Sequence, residues 1–150
     1  MRFETQAIHK GQEPEPQTGA VIPPIFATST FAQIEPGKTR GYDYTRSGNP
    51  NFIRLGETLA ALESARYATL FASGMSAVTA VLSTLKSGDK ILAEENIYGC
   101  TYRILDKVFE KYGLTVEYVD FSREENLDLI ATRKPTLVWI ESPTNPLLKV

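Results

Sequence analysis

From Asn49 onward the apolar positions fall into regular groups. Phe52, Leu55, Leu59 and Leu62 recur at three- and four-residue spacing. They predict a helix that opens at Asn49-Pro50, with asparagine as the cap and proline in the first turn. Tyr67-Ala68-Thr69-Leu70-Phe71 predicts a short strand, ended by Ser73-Gly74. Met75 to Leu85 predicts a helix of small residues with Val78, Val81, Leu82 and Leu85 on one face. Ser87-Gly88-Asp89 is a turn, and the apolar centre Ile91-Leu92-Ala93 makes Lys90 to Glu94 a buried strand. A loop follows from Glu95 to Gly99. Ile104, Leu105, Val108, Phe109 and Tyr112 then mark a helix stopped by Gly113. Leu114 to Val119 predicts a strand, Glu124 to Ala131 a short helix, and Thr136 to Ile140 a fully apolar strand.

Strand and helix therefore alternate from residue 67 on. This order predicts an α/β fold with right-handed crossovers and a mostly parallel sheet. The earlier residues follow another rule. Residues 11–50 hold six of the nine prolines and the glycines Gly11, Gly19, Gly37, Gly41 and Gly48, which disfavour long regular elements. The same stretch carries Val21, Ile22, Ile25, Phe26, Phe31, Tyr42 and Tyr44, too many apolar side chains for a flexible linker. Residues 1–49 are expected to form an arm lying on a neighbouring subunit, and residues 50–150 the first part of a larger domain. The run Leu147-Leu148-Lys149-Val150 reads as an apolar segment just starting, so the protein is expected to continue.

Composition narrows the field. An apolar fraction of 42% over 150 residues is enough for a core. A net charge of −2 gives no general attraction to nucleic acid or an acidic membrane. No segment approaches the ~18 apolar residues of a membrane span, and Met1 to Gln6 lacks the apolar run of a signal peptide. A soluble, cytoplasmic protein is expected. Cys100 is the single cysteine and His9 the single histidine, so neither an internal disulfide nor an ordinary zinc site is expected. Glu94-Glu95 reads as a solvated strand end rather than a paired-carboxylate site.

Ligands of open α/β sheets bind beyond the carboxyl ends of the strands. Three segments occupy such places here. Ala72-Ser73-Gly74-Met75-Ser76 sets a glycine at a helix N-terminus, where free N–H groups suit a phosphate, although a tight turn needs glycine as well. Glu95 to Cys100 offers Tyr98, able to stack on a flat ligand or simply to pack its loop. Cys100 is a nucleophile only with a base beside it, and a buried small residue is the plainer reading. Glu141-Ser142-Pro143-Thr144-Asn145-Pro146 places Glu141 and Asn145 on a proline-flanked loop, which serves either ligand contact or turn chemistry. A fourth segment, Gly41 to Pro50, carries Arg46, suited to a phosphate or to an ion pair with Asp43. Neither a GxGxxG nor a GxxxxGK[ST] motif is present, which argues against dinucleotide and P-loop sites.

Taken in order, these stretches resemble the Cys/Met-metabolism family of pyridoxal-phosphate (PLP) enzymes, which includes cystathionine γ-synthases, cystathionine γ- and β-lyases and methionine γ-lyases. The matching segments are Gly19 to Ile25, Tyr42 to Pro50, Ala72 to Met75, Tyr98-Gly99 and Glu141 to Pro146. The resemblance implies the aspartate-aminotransferase-like fold (fold type I), with this chain supplying the arm and the first part of the large domain. It implies pyridoxal 5'-phosphate as cofactor, a small amino-acid substrate and a homo-oligomer, a dimer that completes each site and assembles into a tetramer. It assigns Gly74 and Met75 to the cofactor phosphate, and Tyr98 to ring stacking and proton transfer. Tyr44 and Arg46 fall to the neighbouring subunit's phosphate, and Glu141 and Asn145 to the ring. The cofactor-bearing lysine and the aspartate facing the pyridine nitrogen follow the last of these segments in the family, so the activity is expected of a longer protein. The reaction implied is transsulfuration at the γ C–S bond of cystathionine-type amino acids. Methionine γ-lyase and cystathionine β-lyase are alternatives, and Cys100 matches a cysteine typical of the former. A non-catalytic Rossmann-like binding module is the competing reading from another class.

Overall fold

The computed structural model describes residues 1–150, which divide into two compact units, Met1–Leu70 and Phe71–Val150.

The first unit holds two helices, α1 (Phe3–His9) and α2 (Pro50–Leu62). α2 begins where the sequence places it. Asn49 is the extended cap and its side chain accepts the Asn51 N–H. Asn49 is buried because its amide also donates to the Phe26 carbonyl and the Thr45 hydroxyl. Asn51 closes the same clamp by bonding both the N–H and the carbonyl of Phe26. The arm is thus folded onto the start of α2 by side-chain amides. α1 precedes the proline-rich stretch. Its exit lies on α2, where Thr58 Oγ1 donates to the Lys10 carbonyl at 2.6 Å. Gly11 adopts φ +72° against the Arg54 carbonyl, where a Cβ has no room. Elsewhere the arm is made of turns and irregular chain, with two antiparallel bridges, Thr30 to Tyr44 and Glu35 to Lys38.

The second unit is a three-stranded parallel sheet in the order β2-β1-β3, formed by β1 (Lys90–Glu94), β2 (Thr115–Val119) and β3 (Leu137–Trp139). The central strand explains its own sequence. β1 has a neighbour on each edge and a layer on each face, so Ile91 to Glu94 are all buried. Ile91 and Ala93 meet Leu82 of α3 (Gly74–Leu82) and Leu105 of α4 (Gly99–Lys107) in the core, with Val116, Tyr118, Leu137 and Trp139 from the flanking strands. Glu117 faces the other side, where it pairs with Arg133 of α5 (Asp128–Arg133) at 3.4 Å. The two crossover helices therefore cover opposite faces, as right-handed crossovers in this strand order require.

Three expectations need correction. Residues 67–71 form no strand: the segment is extended but joins no ladder, and Tyr67 and Phe71 stay exposed. Local β propensity gives an extended chain, whereas a strand needs a partner edge. The helix expected between the Glu95–Gly99 loop and Gly113 is not α-helical to its end: α4 stops at Lys107 and a 3₁₀ turn at Phe109–Tyr112 follows before Gly113, at φ +86°. The helix expected from Glu124 begins as a 3₁₀ turn at Glu124–Leu127 and becomes α-helical only at Asp128. No helix is long and apolar enough to cross a membrane.

Candidate functional site

Chain direction fixes where the site residues lie. α3 and β1 are joined by a short reversal and packed face to face, so α3 runs antiparallel to β1. Nine helical residues span ~13 Å and five strand residues ~16 Å. The N-terminus of α3 therefore lies level with the carboxyl end of β1. Ser73, extended at φ −155°, caps it: the Ser73 hydroxyl accepts the Ser76 N–H at 3.1 Å, and the Ser73 carbonyl takes the Ser76 and Ala77 N–H groups. Gly74 and Met75 hold the first two helical positions, whose N–H groups have no intrahelical partner. A Cβ built at Gly74 meets nothing within 4 Å. The result is an open cradle with donors and the positive helix end facing it.

The chain turns from β1 toward β2 on one side and then crosses back to β3 on the other. The carboxyl ends of β1 and β3 therefore flank a switch in strand order, the place where open α/β sheets bind ligands. Tyr98 and Glu141 come from these two ends. The Tyr98 N–H donates to Glu141 Oε2 at 2.8 Å, and the Trp139 indole donates to Oε1 at 3.3 Å. Glu141 is thus held at both oxygens, and the Tyr98 ring remains 48% exposed at the start of α4. Asn145 is exposed on the same loop as Glu141.

Tyr98 has a sulfur neighbour. The nearby Cys100 side chain raises the Tyr98 pKa, and Tyr98 lowers that of Cys100. Arg103 adds to the sulfur's environment, with Nη2 donating to Sγ at 3.0 Å and Nε to the Gly99 carbonyl at 3.2 Å. Tyr98 accordingly keeps its proton in this arrangement. The basic neighbour of Cys100 is Arg103, not a histidine, and no motif in the sequence marks it. The signal available was spacing, since a residue three positions on returns to the same helix face.

Glu94 departs from expectation. It is buried at 2% exposure, where its carboxylate accepts the Phe121 N–H at 2.8 Å and the Asn96 N–H at 3.3 Å. Hydrogen bonds from the main chain, rather than solvent, satisfy it. Only Glu95 is exposed. Carboxylate oxygens of Glu94, Glu95 and Asp120 lie within 4.8 Å of one another. Lys149 supplies a cation there, its Nζ donating to Glu95 at 2.8 Å and to Asp120 at 2.9 Å.

In the first unit, Tyr44 and Arg46 form a pair of their own. Arg46 Nη2 donates to the Tyr44 hydroxyl at 2.8 Å, with the guanidinium 5.2 Å from the ring centroid. The ion pair with Asp43 does not form, because the Asp43 carboxylate instead accepts the Tyr44 N–H. His9 is exposed near the end of α1.

A parallel sheet with an open helix N-terminus at its switch point is a ligand-binding arrangement of α/β proteins, and solved structures of PLP-dependent enzymes share this chain's fold. The structure of metB from Corynebacterium glutamicum superposes with a TM-score of 0.92 at 42% identity, covering 100% of this chain and 40% of that one. The family model of Cys/Met metabolism PLP-dependent enzymes matches residues 4–150, and the chain belongs to that family. A probable cystathionine gamma-synthase of Herpetosiphon aurantiacus is 45% identical over 99% of this chain and 46% of its own length. A cystathionine gamma-lyase of Bos taurus is 46% identical over 99% of this chain and 37% of its own length. The chain thus spans less than half the length of these relatives.

Proposed function

We propose that this chain is the arm and first part of the cofactor domain of a transsulfuration enzyme, acting on the γ C–S bond of cystathionine-type amino acids as a cystathionine γ-lyase or γ-synthase. The observation that carries the reading is the open N-terminus of α3, in a chain whose family is PLP-dependent throughout its match. The residues present suit the cofactor. The N–H groups of Gly74 and Met75 bind its phosphate at the positive helix end. Tyr98, with its ring exposed, would stack on the pyridine, and Glu141 and Asn145 would contact the ring from the other loop. Tyr44 and Arg46 reach the phosphate of a neighbouring subunit, so the protein works as a cytoplasmic homo-oligomer. When bound, PLP supplies an electron sink for carbanion chemistry at the substrate amino acid. The protein's part is to hold the ring, exclude water and move a proton at the Tyr98 hydroxyl.

One residue favours a second substrate: Cys100, two positions after Tyr98, matches a cysteine typical of methionine γ-lyases. The test is the protein extended to the length of its relatives. It is expected to bind PLP, to turn yellow, and either to release thiol from cystathionine faster than from methionine, as a γ-lyase, or to consume cysteine with an activated homoserine ester, as a γ-synthase. A colourless protein that never takes up PLP refutes the class and leaves the non-catalytic binding module. Preference for methionine moves the assignment to the second substrate.

A further inference from the structure

The loop that follows β3 is closed on itself and tied down at both ends, and its two ties differ in kind. Within it, the Thr144 N–H donates to the Lys149 carbonyl at 2.9 Å, the Leu148 N–H to the Thr144 carbonyl at 3.0 Å, and the Lys149 N–H to the Thr144 hydroxyl at 2.9 Å. Thr144 is the hub of this ring and is 2% exposed. A ring of this kind moves as one body. A short segment leads from Glu141 into it, and Glu141 is fixed by neutral donors, the Tyr98 N–H and the Trp139 indole. The ring's trailing end is fixed by charge alone. Lys149 Nζ spans Glu95, just past β1, and Asp120, just past β2. Those acids come from different strands, and both lie against the buried Glu94. Without the ammonium the trailing end loses both of its ties, Glu95 keeps no cation and Asp120 keeps only Arg123 at 3.5 Å.

We propose that Lys149 is a positioning residue for the cofactor loop, a cation that locks the Thr144–Lys149 ring, and through it the adjoining Glu141 segment, onto the ends of β1 and β2. The inference rests on the reading of Glu141 and Asn145 as cofactor contacts. Lys149 itself touches neither cofactor nor substrate. It acts through the rigid ring and, by way of Glu141, on the amide that starts α4. Displacing a group by about 1 Å costs about a hundredfold where alignment matters, and loss of a supporting contact costs about ten- to a hundredfold.

The experiment uses the protein at the full length of its relatives, reconstituted with PLP. Lys149→Met is expected to weaken PLP binding about tenfold by titration of the visible absorbance. Amide hydrogen exchange on the apoprotein is expected to accelerate at Tyr98 while Ile91 and Leu92 in the central strand keep their protection. Lys149→Arg is expected to restore both, since a guanidinium still spans two carboxylates. Glu95→Gln, which removes one of the two partners, is expected to show the same changes at smaller amplitude and serves if Lys149→Met does not fold. The proposal is overturned if PLP affinity and Tyr98 exchange stay within about twofold of wild type, a span of under half a kilocalorie. It is equally overturned if exchange rises alike across β1, which marks general destabilisation, or if Lys149→Arg fails to rescue. A wild-type protein that takes up no PLP ends the cofactor reading, and the Tyr98 exchange still decides whether Lys149 locks the loop.

Discussion

The Tyr98 N–H and the Glu141 carboxylate meet at 2.8 Å, tying the loop after β1 to the loop after β3. Their strands are neighbours, with Ala93 opposite Trp139 at the carboxyl end of the register. The bond therefore spans the switch in strand order and sets the mouth of the site. Glu141→Ala leaves the Tyr98 N–H and the Trp139 indole without their acceptor. Each orphaned polar group costs about 1–3 kcal/mol when solvent does not reach it, and less where it does. A loss of about 1–3 kcal/mol in urea unfolding is expected, and Glu141→Gln, which keeps a carbonyl acceptor, should recover part of it. Equal stability of all three proteins contradicts the tie.

The sequence carried the fold wherever local pattern and tertiary demand agree. β1 was legible because a strand buried on both faces must be apolar throughout, and α2 because Asn49-Pro50 is a start signal that packing did not override. Residues 67–71 misled because extended propensity says nothing about a partner edge. The site was legible by motif order but not by contact. Gly74, Tyr98 and Glu141 each follow a predicted turn or strand end, whereas the Glu141 bond to Tyr98 joins residues far apart in the chain. Glu94 read as solvated because two adjacent acids usually are. Its burial depends on main-chain donors at Asn96 and Phe121, which only the folded sheet end brings together. Lys149 matched no motif, and its role appears only when the ends of β1 and β2 are side by side.

The phosphate reading of α3 has a clean test in Gly74→Pro. Gly74 is the first helical residue, a place where proline is accepted because the N–H has no intrahelical partner. Ser73 before it is already extended at φ −155° and ψ 157°, as a residue preceding proline must be. The variant deletes one phosphate donor and leaves the helix intact. Melting temperature is expected to hold while PLP affinity falls about tenfold or more, the scale of one hydrogen bond to a charged group. A drop in melting temperature with unchanged affinity contradicts a phosphate site here.

Asp120 sets the acid limit of the second unit. Hydrogen bonds from Ser122, then the ammonium of Lys149, lower its pKa from 3.8 to about 2. The folded state therefore binds its proton less readily than the unfolded chain. The stability it contributes is fully present above 3.8 and is lost as pH falls through about 2. Lys149 works with the opposite sign: its pKa is raised, first by Glu95 and then by Asp120, so its share persists to 10.5 and fades as pH rises beyond. Asp120→Asn is expected to flatten the fall in urea midpoint between pH 4 and pH 2 that wild type shows. An unchanged acid slope removes Asp120 from the account.

Arg46 separates a subunit-bridging arm from a merely folded one. Its guanidinium lies over Tyr44 and bonds the Tyr44 hydroxyl, so the two side chains present a rigid donor pair on an exposed part of the arm. Exposed pairs of this kind add little to stability, and Arg46→Ala is expected to change unfolding by no more than about 0.5 kcal/mol. Its effect on cofactor retention in the full-length oligomer is expected to be larger, about tenfold or more, because a guanidinium on a phosphate is a charge-assisted contact. Tyr44→Phe keeps the cation but removes its hydroxyl partner, so it should weaken retention less than Arg46→Ala. Because the contact is made to the neighbour's cofactor, mixing Arg46→Ala subunits with subunits defective at Gly74 decides the geometry. In such a mixed dimer one site combines both defects and the other has neither, so half the sites should regain tight PLP binding. If retention instead follows each chain's own residues, with every site in the mixture defective, Arg46 serves its own subunit and the bridging arm is wrong.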